Sequence, residues 1–109
     1  MLLRLTNVSL TDVTSENRNV NGLCSQVQTN ATLSLISSIV ELIDIGVKRG
    51  HVYGLVDHKA SHSYIVLYDA DIILNNVRAE GGHVAAISYQ VDVNNNLTMA
   101  ASRVFMANI

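Results

Sequence analysis

The chain has no proline, one cysteine and only five aromatic side chains. Each shortage excludes something. A lone cysteine, Cys24, cannot build an internal disulfide framework, and it fits a reducing compartment, so a cytoplasmic location is expected. Five aromatics give no stacking platform for single-stranded nucleic acid. Seven basic residues, spread without a stripe under a net charge of −2, argue against electrostatic capture of a phosphate backbone. No nucleic-acid partner is therefore expected. The absence of proline fits long strands with few rigid corners. There is no phosphate loop, dinucleotide fingerprint, HExxH pair or zinc-finger spacing, so neither cofactor nor metal is expected. The first residues, MLLRLTN, turn polar too soon for a signal peptide, and no membrane partner is expected. Asn7, Asn30 and Asn96 each head an Asn-X-Ser/Thr triplet, which an asparagine-rich sequence produces by accident.

What is present is apolar. Hydrophobic residues make up 49% of 109, against 15% charged, which suggests one domain (1–109) with a real core and a buried subunit interface. The most apolar stretch is residues 31–48, ATLSLISSIVELIDIGVK. On a helical wheel Leu35, Ile36, Ile39, Val40, Leu42, Ile43, Ile45 and Val47 cover more than half the circumference. Ser34, Ser37, Glu41, Asp44 and Lys48 share one polar wedge. This pattern predicts a long, mostly enclosed helix, capped by Thr29, Asn30 or Thr32 and closed by Gly50.

The remaining segments read as strands and turns. Residues 2–10 alternate like a strand, and 11–22 are polar enough for a loop. Residues 51–56 form a short strand, and 57–63 a turn carrying His58 and His62. Residues 64–77, containing YIVLYDADIIL, predict a long strand that bends near Asp69 and Asp71. A turn at 78–82, a strand at 83–93, a hairpin turn at 94–96 and a last strand at 97–106 complete the chain. No internal repeat is evident. The expected fold is α+β, a central helix wrapped by a five-stranded antiparallel sheet in the order β-α-β-β-β-β. Hot-dog and cystatin-like architectures share that order.

From residue 31 onward the sequence resembles small hot-dog proteins of the acyl-CoA thioesterase kind. The helix with an internal acid, Glu41, is similar to their central helix. VYGLVDHKASHS places His58 where some thioesterases carry a histidine, and VRAEGGHVAAISYQVDVNNNLTMAASRVF resembles their closing hairpin. The resemblance implies an acyl-CoA or acyl-carrier ligand, with Glu41, Asp44 and His58 as catalytic candidates. It also implies a homodimer or higher homo-oligomer joined edge to edge. The solvated-edge reading of the same residues is an Asp44–Lys48 pair on an exposed wedge.

Two other constellations are weaker. Cys24 with His62 (HSYIVLY) or His83 (GGHVAAI) resembles papain-like hydrolases, but Cys24 lacks their aromatic and glycine neighbours and is expected to be an inert small hydrophobe. His58 and His62, with Asp57, Asp69 and Asp71, read as scattered polar turn residues rather than metal ligands, and His51 has no assigned role. The alternative to a thioester enzyme is a non-catalytic binding or assembly protein, for example of phage or mobile-element origin, whose sheet edge or greasy face is its interface.

Overall fold

The computed structural model describes residues 1–28, 30–59, 62–87, 90–91 and 96–109; at 25–26, 57–59, 90–91 and 96–98 it describes the backbone alone. The chain winds as a coil of stacked turns. The first turn contains β1 (Leu2–Arg4), β2 (Asn7–Ser15), β3 (Val20–Asn21) and β4 (Cys24–Val27). The second contains β5 (Thr32–Ile36), β6 (Ile39–Val47), β7 (Val52–Tyr53) and β8 (Val56–Lys59). The third contains β9 (Tyr64–Tyr68), β10 (Asp71–Ala79), β11 (Val84–Ala85) and β12 (Gln90–Val91). A fourth turn is begun by β13 (Asn96–Ala100) and β14 (Arg103–Ala107).

Every strand pairs in parallel with the strand one turn away. Sheet A is β1-β5-β9-β13, sheet B is β2-β6-β10-β14, sheet C is β3-β7-β11 and sheet D is β4-β8-β12. The register advances by one constant step, 32 residues, as in Leu3↔Leu35, Leu35↔Leu67 and Leu67↔Met99. This is a parallel β-solenoid. Its shortest extent, 17 Å, matches four layers about 4.8 Å apart.

The structure overturns the α+β expectation. Among the described residues there is no helix, and residues 31–48 form β5, β6 and the corner between them. The sheets are parallel, so neither the hot-dog nor the cystatin-like frame is present. The repeat that the sequence concealed is the 32-residue turn. The supposed loop at 11–22 holds the end of β2 and all of β3, and YIVLYDADIIL is two strands, β9 and β10, meeting at a corner. Asn96 opens β13, which pairs with β9 rather than turning back as a hairpin; Asn94, Asn95 and the cap candidate Thr29 lie outside the described residues.

Corners are made by single left-handed residues at fixed places in each turn. Leu5, Ser37, Asp69 and Ala101 have φ of 50, 49, 50 and 50°, and Asp12, Asp44, Asn76 and Asn108 have 57, 57, 55 and 56°. At the second set, Asp and Asn tolerate this conformation because their short polar side chains bond locally. Each such residue slips the in–out alternation by one, so two neighbours in a row face outward. The inward set of the second turn is therefore Leu33, Leu35, Ser38, Val40, Leu42, Ile45 and Val47, all buried.

The core is built from columns. Val8, Val40, Ile72 and Val104 form one, and Leu10, Leu42, Leu74 and Met106 another. Ser38 is buried but satisfied: its Oγ donates to the Ile36 carbonyl (2.9 Å) and accepts from the Thr6 N–H (3.2 Å). Turns touch so closely at Gly54 that a Cβ there would collide with the Ala86 carbonyl oxygen.

Candidate interaction surface

Glu41 lies on the outer face of β6, half-buried, in the column Ser9–Glu41–Ile73–Phe105. Asp44 is an exposed corner residue that accepts a hydrogen bond from Asn76 Nδ2 at 2.7 Å. His58 belongs to a different sheet, in register between Gln26 and Gln90, and its side chain is outside the described part. Sheet B thus carries the two acids and sheet D the histidine. The helix face that was to hold Glu41 and Asp44 together is absent, and Asp44 bonds across turns to Asn76 instead.

The other candidates are members of columns too. Cys24 sits in β4, partly buried against the core and opposite Val56, not at a helix start. His51 and His83 stack with ring centres 5.1 Å apart and planes 4° from parallel; the His83 N–H donates to His51 Nδ1 (2.8 Å), and the His51 N–H donates to Asn19 Oδ1 (2.8 Å). His62 is an exposed left-handed residue with φ 57°. Asp69 accepts from Ser37 Oγ (3.2 Å). Asp57's side chain lies outside the described part. Among the described residues no group of three or more His, Cys, Asp and Glu is placed to hold a metal ion.

Among the described residues, Asp71 and Arg103 form a closer charge contact (3.2 Å) than Lys48 and Glu16 (3.8 Å). The guanidinium reaches Asp71 through Nε (3.3 Å) and Nη2 (3.2 Å) and lies 5.3 Å from the Phe105 ring centre. Its pKa is raised, first by the hydrogen bond to Asp71 and then by the charge of that carboxylate. Because the Arg103 side chain is 68% exposed, the pair contributes little to stability.

Arg78 is an exposed residue on the outer face of β10. It lines three shallow cavities: one of about 540 Å³ with Glu80, His83 and Ile109, one of about 350 Å³ with Thr14, Lys48 and Glu16, and one of about 410 Å³ with Asp44 and Asn76. The last two meet at Gly46, where an added Cβ would touch nothing within 4 Å.

The residues that sequence reasoning missed are at the far end of the coil. β14 is exposed along its whole length. Val104, Met106 and Ile109 continue inward columns, yet they are 37%, 44% and 52% exposed. Comparing the sequence with itself at a lag of 32 exposes the signal: Leu3, Leu35, Leu67 and Met99, or Asp12, Asp44, Asn76 and Asn108. No helix among the described residues is long and apolar enough to cross a membrane. No family model matches the chain, and neither a curated protein nor a solved structure matches it.

Proposed function

We propose that this chain is a non-catalytic assembly module that associates through its exposed strand β14. One observation carries the reading: β14 is exposed along its whole length and leaves Val104, Phe105 and Met106 in water. Val104 and Met106 point the way Ile72 and Leu74 point one turn below, where those side chains are fully buried. A strand with an open row of backbone donors and acceptors, backed by an exposed core section, is a template for another strand. Glu41, Asp44 and the histidines act in this reading as members of outward ladders and corners, which set the spacing of turns.

Sedimentation velocity over a concentration series tests the proposal. The expected result is mass well above 11.8 kDa that rises with concentration. The double variant Val104→Lys/Met106→Lys should return the chain to monomer. A wild-type chain that stays monomeric at high micromolar concentration overturns the proposal.

A further inference from the structure

We propose that the corner between β10 and β11 is an acid-sensitive latch, which His51 holds closed while its ring is neutral and releases when the ring gains a proton. The latch is independent of the assembly reading above.

Two latches of one design stand one turn apart, at the corner where sheet B gives way to sheet C. Asn19, His51 and His83 follow one another there at the 32-residue step. In the lower latch the His51 N–H donates to Asn19 Oδ1 at 2.8 Å. In the upper one the His83 N–H donates to His51 Nδ1, also at 2.8 Å. Each side chain thus holds the backbone donor of the residue one turn on. Backbone bonds flank both latches: the Val20 N–H donates to the His51 carbonyl and the Val52 N–H to that of His83. The chain closes tightly here, since a Cβ at Gly82 would collide with His51 Nδ1 and with the Gly50 carbonyl oxygen. Release of the upper latch frees the start of β11, where Val84 packs on the core.

The two acceptors differ in one respect. An amide oxygen does not titrate, whereas an imidazole nitrogen accepts only while it has no proton of its own. Neutral His51 therefore carries its proton on Nε2. A second proton goes to Nδ1 and faces the His83 N–H, donor against donor. The rings of His51 and His83 lie 5.1 Å apart and 4° from parallel, so two charged rings would also repel. Several groups surround the stack. The Tyr53 ring stands 5.8 Å from that of His51, and Arg78 and Glu80 of the third turn line the cavity beside His83. Arg49 is held by Asn17 Oδ1 (3.0 Å), Lys48 lies 3.8 Å from Glu16, and Arg18 is exposed at the same corner of the first turn. Whatever these charges do to the rings, a proton on His51 Nδ1 and the bond from His83 exclude each other. The closed corner needs His51 neutral, so it binds fewer protons than an opened one. Its protection is present above the ordinary imidazole range and is lost as pH falls through it.

Amide protection factors from hydrogen exchange, read by NMR at about pH 7.5 and about pH 5.5, test the latch. An imidazole ordinarily titrates near about 6.5, so the opened corner gains about tenfold between the two conditions. The expected result is a loss of about tenfold in protection at the His83 amide, with little change at the His51 amide, which Asn19 holds. The variant His51→Asn copies the lower latch, and in it the His83 amide should stay protected at both pH values. Ring-nitrogen resonances of the wild-type chain should place the proton of neutral His51 on Nε2. A His83 amide that is indifferent to pH overturns the proposal, as does a neutral His51 protonated at Nδ1. An equal loss at the His83 amide in His51→Asn shows that the response arises elsewhere and also overturns it. Equal losses at the His51 and His83 amides of the wild-type chain do the same, and that comparison stands even if the variant fails to fold.

Discussion

Leu74 and Met106 stand in one column, one turn apart, and differ in everything the column is for. Leu74 has a layer above and below and is 0% exposed; Met106 has a layer on one side only and is 44% exposed. In a solenoid a side chain's contribution depends on whether both neighbouring turns are present, since each repeat contacts only its neighbours. The middle turns hold the fold, and the last strand is held by it.

Truncations along the column should widen that comparison. Leu42→Ala removes a side chain closed on both sides and is expected to cost about 3–5 kcal/mol in chemical unfolding. Met106→Ala, made on the open end, should cost less than about 1 kcal/mol in the monomer. Equal losses would mean that the end strand is as covered as the middle.

A second contrast runs across the wall. Ile39 faces outward between Asn7 and Asp71 and is half-buried, whereas its neighbour Val40 is fully buried. Ile39→Ala is thus expected to cost no more than about 1 kcal/mol. Had the helical reading held, the same change would have cost about 2–5 kcal/mol. The smallest effect is expected at a corner. Ala101 holds φ of 50° with a Cβ that disfavours it, so Ala101→Gly should stabilise the chain by up to about 1 kcal/mol, read as a rise in melting temperature. A loss at that site would show that the corner tolerates its strain for another reason.

The false helix has a physical origin. Left-handed corners at Ser37 and Asp44 put two outward residues in a row, so the buried positions Leu35, Ser38, Leu42 and Ile45 are spaced 3, 4 and 3 apart. That is the spacing of one helix face, and a wheel cannot tell the two apart. Nothing in the propensity of Leu, Ile or Val marks a corner. The burial of Val40, Leu42, Ile45 and Val47 was legible as apolarity, but the element was not. The repeat stayed hidden because outward columns share no chemistry: Asn7, Ile39, Asp71 and Arg103 are four different residue types in one column. The inward columns, the Asp/Asn corners and the stacked His51 and His83 keep their character from turn to turn. The helix face that grouped Glu41 with Asp44 is absent, since that grouping came from a periodicity the chain does not have. His58 was grouped with them through the hot-dog resemblance, and it falls on another sheet.

The constant step between paired strands also governs how the chain reaches its fold. Each ladder joins residues 32 apart in a chain of 109, a relative separation of about 0.3. Such non-local pairing places the chain with the slow-folding all-β proteins. Among the described residues no paired strands are close in sequence, so a loop of about thirty residues must close before the first ladder rewards it. Once two turns have met, each further turn adds to a finished edge. Folding is therefore expected to be slow to nucleate and fast to extend. The same template that receives the chain's own next turn is then open, throughout folding, to a neighbour's.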